Sequence, residues 1–108
     1  MTKFLLIEHR VAMGAWAPAD VRRHFEHRRR LDAELAAAGE LVETQHLGGP
    51  AHQIAGEDGA RPELAGYRVV DVESEERALQ IAARVSAGPG PDGVRVHSRV
   101  DVRRLLTP

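Results

Sequence analysis

Apolar and polar residues alternate along the chain in short blocks that are separated by turn residues. The first block, Lys3 to His9 (KFLLIEH), is rich in strand-forming residues and predicts a strand. Its apolar side chains fall on both faces, with Phe4 and Leu6 on one face and Leu5 and Ile7 on the other. A strand that is apolar on both faces is covered on both sides.

Capping residues mark two helices. Pro18 suits a first helical position and Gly39 suits the residue just after a helix, so the pattern predicts a helix from Pro18 to about Ala38. Ser74 is a natural N-cap with acidic residues directly after it, and it predicts a second helix that ends near Val85.

Further strands are predicted between and after these helices. They cover Leu41 to Leu47, Leu64 to Val72 and Val94 to Val100, with a shorter candidate at Ala51 to Ala55. Turn and loop signals lie at Gly56 to Gly59 and at Ser86 to Gly93, and the tail Asp101 to Pro108 is interpreted as an edge strand or a short turn.

The order strand, helix, strand, strand, helix, strand predicts a single α+β domain over residues 1–108. Two right-handed crossovers give a ferredoxin-like (βαββαβ) antiparallel sheet with both helices on one face. The other face of the sheet then needs a cover. We expect a second copy of the chain there, which makes a homodimer with a dimeric α+β barrel.

Composition excludes several classes of function. The chain has no cysteine, which excludes disulfides, thiolate nucleophiles and zinc–thiolate sites and fits a reducing compartment. The formal net charge of −1 creates no overall field that favours nucleic acid or an anionic membrane. The first residues lack the long apolar run of a signal peptide, and no stretch is long enough for a membrane helix. We therefore expect a cytoplasmic protein without a nucleic-acid or membrane partner.

Several segments, taken in order, resemble the YCII-related family, and in particular its DGPF-type branch. They are Lys3 to Ile7, Leu35 to Val42, Gly66 to Val72, Ser74 to Leu79 with Ala82 to Arg84, and Val94 to Val96, and together they span nearly the whole chain. The Asp-Gly-Pro-Phe signature of the branch is kept only in its first two residues, as Asp58-Gly59-Ala60-Arg61, and the Glu-Thr-Lys-Glu segment that usually follows it is missing. The resemblance implies a dimeric ferredoxin-like barrel. It also implies an activity like that of some members, which resemble lyases or isomerases that use a histidine on the first helix together with an aspartate.

Three polar residues interrupt the apolar stripe of the first helix. The stripe consists of Val21, Phe25, Leu31 and Leu35, and the polar residues are His24, Arg28 and Asp32, at intervals of four positions. One interpretation is a pocket in which His24 moves protons, Arg28 holds an anionic group and Asp32 pairs with Arg28. The other is a satisfied, buried His24 with Arg28 and Asp32 at the edge of the stripe. The family's helix histidine corresponds to His24 by local sequence and to Arg28 by distance from Gly39.

Further candidate residues lie outside this helix. In the predicted last strand, Arg95, His97 and Arg99 share one face, which either lines a polar cavity or faces solvent. The substrate-contacting candidates that remain are His9, at the end of the first strand, and the aromatic residues Trp16 and Tyr67. None of the histidines shows a recognised metal-ligand spacing, so we expect neither a metal nor another cofactor.

The leading hypothesis is a cofactor-independent acid–base enzyme of the lyase, isomerase or cyclase type, with a small anionic or enolic substrate. His24 or His97 would carry the proton, and Arg28 and Arg99 would bind a carboxylate or enolate oxygen. One alternative is a non-catalytic small-molecule-binding or accessory dimer. The other is a purely structural dimer partner for another enzyme.

Overall fold

The computed structural model describes residues 1–56, 59 and 63–106, and over this range the chain forms four strands and two α-helices, besides a single 3-10 turn at Pro91–Gly93. In chain order they are β1 (Thr2–His9), α1 (Pro18–Ala37), β2 (Leu41–His46), β3 (Leu64–Val72), α2 (Glu75–Ser86) and β4 (Val100–Arg104). The strands form one antiparallel sheet in the order β2-β3-β1-β4. This architecture confirms the predicted α+β class and is compatible with a ferredoxin-like fold. Neither described helix is long and apolar enough to cross a membrane.

The core lies between the sheet and the two helices. It consists of Phe4 and Leu6 from β1, Val70 and Val72 from β3, Leu31 and Leu35 from α1, and Ala78, Ile81, Ala82 and Val85 from α2. Burial alternates along β1 and β3, as the two-residue period of a strand requires. Both helices therefore cover the same face of the sheet, as the element order predicts.

The capping residues place the helix ends as expected. Helix α1 begins at Pro18, and Gly39, two residues beyond its end, has φ of 72°, the left-handed conformation that favours glycine. The Ser74 hydroxyl accepts a hydrogen bond from the backbone N–H of Arg77 at 3.1 Å, which satisfies one of the free donors at the start of α2.

The prediction of a last main strand over Val94 to Val100 is wrong. The strand that pairs with β1 is β4, which begins where the predicted strand ends. The preceding residues bond to the end of α2 and to the loop after it instead, with Ser98 N–H donating to Ser86 O at 3.2 Å and Val96 N–H donating to Gly88 O at 3.0 Å. Of the two interpretations of the tail that begins at Asp101, the edge strand is the correct one.

Two smaller expectations fall in the connection between β2 and β3. Residues 51–55 form no strand, so the candidate strand there is wrong. The turn signal at 56–59 lies partly outside the described residues. Of the segment Asp58-Gly59-Ala60-Arg61, only Gly59 is described.

The face of the sheet opposite the helices has an apolar centre. Leu5 and Ile7 of β1 lie beside Val69 and Tyr67 of β3 in the antiparallel register, and all four side chains are half-buried. We call these four residues the outer face. In a single chain they remain partly exposed to solvent.

Candidate functional site

Two charged residues occupy core-facing positions in the sheet. Glu8 continues the inward-facing series of Phe4 and Leu6 in β1, and Arg68 continues that of Val70 in β3. Glu8 is 4% exposed and Arg68 is 1% exposed. Charges buried to this degree need partners of opposite sign, because it is strongly unfavourable to remove an isolated ion from water.

Helix α1 supplies those partners. The Nη2 atom of Arg28 donates to Glu8 Oε2 at 2.6 Å, and Nη1 of Arg68 lies 2.8 Å from Glu8 Oε1. Arg68 also donates to Asp32, from Nε to Oδ1 at 2.6 Å and from Nη2 to Oδ2 at 3.3 Å. Arg28 and Asp32 are four positions apart and so lie on the same side of α1. We call Glu8, Arg28, Asp32 and Arg68 the ion network; its two cations and two anions balance.

A glycine in β3 makes room for this arrangement. Gly66 is the residue opposite Glu8 in the antiparallel register. A Cβ atom at Gly66 would lie 2.6 Å from the backbone oxygen of Gln45 and 3.4 Å from Glu8 Oε2. The absence of a side chain there lets the Glu8 carboxylate and strand β2 both approach closely.

The two arginines of the ion network respond differently to burial. Burial lowers the pKa of the Arg28 guanidinium below its ordinary value, although the nearby Glu8 carboxylate opposes this shift. Burial also opposes the charge of Arg68, but the hydrogen bonds and charges of Asp32 and Glu8 outweigh it and raise the Arg68 pKa. The Nε atom of Arg28 is shielded from solvent and has no hydrogen-bond partner among the described residues. The Nη1 atom of Arg68 is likewise shielded and makes its contact with Glu8 as an ion pair rather than as a hydrogen bond.

His24 lies one helical turn before Arg28 and is 3% exposed. Its Nδ1 atom lies 3.0 Å from the carbonyl oxygen of Pro89, in the loop after α2. Because a carbonyl only accepts, Nδ1 carries the proton and Nε2 keeps a lone pair. The rings of Trp16 and Phe25 meet the imidazole edge-on, with centroids at 5.6 and 5.8 Å.

The surroundings of His24 favour its neutral form. Burial lowers its pKa below 6.5, and the charge of Arg28 acts in the same direction. The hydrogen bond to Pro89 and the Glu8 carboxylate act in the opposite direction but do not cancel the effect. A Cβ at Gly88 would lie 2.9 Å from His24 Cε1, so the loop packs directly against this edge of the ring.

The structure brings together only part of the predicted site. His24, Arg28, Asp32 and Trp16 lie along one side of α1 and its preceding loop. Arg95, His97 and Arg99 are exposed and, since they lie outside β4, share no strand face. The predicted strand face is therefore wrong, whereas the alternative that these three residues face solvent is correct.

The remaining candidates belong to the opposite face of the sheet. Tyr67 is part of the outer face, and His9 follows Ile7 on the same side of β1. The Nε2 atom of His9 lies 3.0 Å from Asp101 Oδ2, and Arg99 donates to the same carboxylate from Nε at 3.0 Å. Hydrogen bonds from Arg99 and His9 hold the Asp101 pKa below its ordinary value. These residues are thus separated by the sheet from His24 and Arg28.

Sequence reasoning missed Glu8 and Arg68, which complete the ion network. The signal was present, since each is a charged residue in the inward-facing series of an otherwise apolar strand. Elsewhere, no three His, Asp or Glu side chains of the described part of the chain meet as a metal site requires. Comparison of the sequence with models of known protein families and with curated proteins finds no match.

We expect Glu8→Gln to lower the free energy of unfolding by about 3–5 kcal/mol, because it leaves two buried guanidinium groups with one carboxylate. The matched control is Glu63→Gln. Glu63 pairs with Arg10 at 3.1 Å on the surface, and its loss should cost less than about 1 kcal/mol. Urea unfolding followed by circular dichroism measures both. An equal decrease in the free energy of unfolding in the two variants would show that the ion network stabilises the fold no more than a surface ion pair does.

We expect His24 to make the fold less stable in mild acid. Its pKa lies below 6.5 in the folded chain, so below pH 6.5 the unfolded chain binds more protons and the free energy of unfolding falls. Above pH 6.5 this contribution does not change with pH. Urea unfolding between about pH 7.5 and 5.5 should show a smaller decrease in His24→Gln than in the parent chain. His52→Gln, at an exposed histidine, should keep the parent's dependence.

Proposed function

We propose that this chain is a cofactor-independent acid–base enzyme of the lyase, isomerase or cyclase type that acts on a small enolisable substrate. The observation that supports this best is the orientation of His24. Its Nδ1 donates to the Pro89 carbonyl, and its Nε2 has no partner among the described residues. Because the pKa is lowered, the ring is neutral at pH 7. A neutral imidazole held in one tautomer is the form of histidine that takes a proton from a substrate.

Arg28 would stabilise the oxygen on which negative charge develops. It lies one turn from His24 on the same side of α1. Glu8 holds its Nη2 atom, whereas its Nε atom has no hydrogen-bond partner within the described part of the chain. A guanidinium held in place before the reaction stabilises an enolate without reorganisation. Since the ion network is charge-balanced, it suits a substrate that is a carbonyl compound at rest and becomes an enolate during the reaction.

The aromatic neighbours of His24 suit the apolar part of such a substrate. Trp16 and Phe25 flank the imidazole, and the Phe25 ring also lies 6.3 Å from that of His46 and 5.8 Å from the Arg28 guanidinium. Apolar rings around a proton-transferring group exclude water and strengthen its electrostatic interactions.

Family membership and compartment form part of this proposal. The resemblance of the sequence to YCII-related proteins supports an acid–base reaction that depends on a histidine in the first helix. Asp32 is committed to Arg68, so it would not act as the proton partner of His24. The lack of cysteine supports the cytoplasm as the compartment.

The alternative is a binding or accessory module that performs no reaction. The charge balance of the ion network favours it, because each guanidinium already has a carboxylate partner and no surplus cation is left to hold an anionic substrate. The exposure of Arg95, His97 and Arg99 points the same way, since these residues add no charge to the His24 site.

We also propose that two copies pair through the outer face. Its apolar centre is bordered by Arg103 on β4 at one edge and by Glu43 on β2 at the other, as their pairings with Leu5 and Val69 show. A two-fold axis through the centre would bring each Arg103 towards the Glu43 of the other copy, which makes the face self-complementary. The occupant of the outer face would thus be a second copy of this chain.

Catalysis can be tested before the physiological substrate is known. A panel of 2-oxo acids, 1,3-dicarbonyl compounds and lactones is incubated with the protein in D₂O, and loss of the α-proton signals is followed by NMR. We expect the parent chain to accelerate exchange in at least one compound. The His24→Gln variant should lose about 100-fold or more of that rate, which is the usual contribution of a general base.

The matched control is His27→Gln, since His27 lies on the same helix but bonds to the carbonyl oxygen of Arg84. It should retain the parent rate. Unchanged exchange in His24→Gln would rule out His24 as the base. A compound that binds near His24 without any exchange would favour the binding module instead.

Pairing through the outer face predicts the mass of two 11.8 kDa chains in sedimentation equilibrium at micromolar concentration. Ile7→Lys places a charge in the apolar centre and should give a folded monomer. Leu79→Lys, at an exposed position of α2, should leave the dimer intact. A parent chain that sediments as a monomer would contradict the proposed pairing.

A further inference from the structure

A cavity lies at the far end of the sheet from His24, where β1 begins and β4 ends. Its volume is about 400 Å³, which is within the range that holds small organic ligands. The lining includes Thr2, Lys3, Asp71, Arg104, Leu105 and Leu106. A smaller cavity of about 170 Å³ shares Thr2 and Arg104 with it and extends to Glu75 at the start of α2. None of the residues predicted from the sequence as a site lines either cavity.

The charged groups of this cavity are not used by the fold. Lys3 and Asp71 lie directly opposite each other in the β1–β3 register, where opposite charges commonly pair. They form no ion pair, and Arg104 likewise has no partner among the described residues. By contrast, the Glu8, Arg28, Asp32 and Arg68 charges at the other end are all paired. Two cations and one carboxylate therefore line the same cavity without partners.

Of these three residues, Asp71 gives the strongest indication of a ligand. Its Oδ1 atom is shielded from solvent and accepts no hydrogen bond from the described residues, although its backbone N–H is bonded to Glu40 O at 2.8 Å. A carboxylate that has lost water at one oxygen without gaining a donor is poorly compensated. Its negative charge is therefore not neutralised by the fold, and a cationic donor on the cavity-lining side of the carboxylate would neutralise it.

We propose that this cavity binds a small zwitterion of the α-amino-acid type. The ammonium group of the ligand pairs with Asp71, and its carboxylate pairs with Lys3 and Arg104. Leu105 and Leu106 contact its apolar side chain. A ligand with only a positive or only a negative group would leave part of the cavity's charge unpaired. A ligand that carries both signs of charge pairs with all three residues.

This site is separate from the His24 site and does not depend on the proposed reaction. Lys3 and Glu8 are five residues apart on β1, which corresponds to about 17 Å along a strand. A ligand the size of an amino acid cannot reach from one to the other. Loss of binding at one end therefore leaves the other end free to function.

The test is titration of the full chain with L-leucine, followed by isothermal calorimetry and by backbone NMR. The matched probes are N-acetyl-L-leucine, which lacks the ammonium group, and L-leucinamide, which lacks the carboxylate. We expect L-leucine to bind and to shift the amide signals of β1 and β4 near the cavity. Each analogue should bind at least about tenfold more weakly, because each removes one charge pair.

Substitutions test which cavity residues bind L-leucine. Asp71→Asn and Arg104→Gln should each weaken L-leucine binding by about tenfold or more. The matched controls, Asp92→Asn and Arg95→Gln, change exposed residues of the same types outside the cavity and should bind like the parent. His24→Gln should also bind like the parent. If Asp71→Asn does not fold, Lys3→Gln together with Arg104→Gln decides the question.

Three results would overturn the proposal. The first is the absence of binding of L-leucine, and equally of L-alanine and L-methionine, up to about 10 mM, a concentration at which even a very weak site is partly filled. The second is equal binding of L-leucine and N-acetyl-L-leucine. The third is unchanged binding in folded Asp71→Asn or in the Lys3 and Arg104 variants.

Discussion

The burial of Glu8 and Arg68 is the constraint on which the rest of the fold depends. Neither charge can leave water without a partner; the two pair with each other, and each gains a second partner from α1. Apolar contacts such as those of Leu31 are non-directional and tolerate small shifts of a helix. Ion contacts of 2.6 to 2.8 Å do not tolerate such shifts, because they depend on the exact positions of the charged groups. The rotation and height of α1 over the sheet are therefore set by Arg28 and Asp32, and the apolar core packs within that arrangement.

The same constraint determines how His24 is presented. One turn separates it from Arg28, so a helix that is fixed at Arg28 is also fixed at His24. The loop after α2 meets the ring from the other side, through the Pro89 carbonyl and the close approach at Gly88. The imidazole is thus held between a rigid helix and a loop that has no room to move closer. Groups held by rigid elements and by a hydrogen bond behind them are suited to proton transfer.

The sequence predicted elements whose signals are local and missed those that depend on distant pairing. Ser74 and Gly39 act within one turn of their own helices, and both behave as expected. The alternation of 94–100 is as clear as that of a strand, yet β1 pairs with the residues after it, and no local pattern reveals which segment a distant strand selects. The polar stripe of α1 was visible for the same local reason. Glu8 and Arg68 also carry a local signal as charged residues at inward-facing strand positions, but that they meet this stripe depends on the β1–β3 register, which no local pattern gives.

Charge pairing differs between the two ends of β1 for a physical reason. Around Glu8 the charges are enclosed, so an unpaired one would cost several kcal/mol and folding itself demands the pairs. At the other end Lys3 is exposed and Asp71 only half-buried, so the fold tolerates the two side by side without a bond. A guanidinium that folding has already paired binds an anion in its resting state only weakly, whereas the unpaired charges around Lys3 remain available to a ligand. The enclosed end therefore suits a substrate that acquires charge during a reaction, and the open end suits a ligand that carries its charges on arrival.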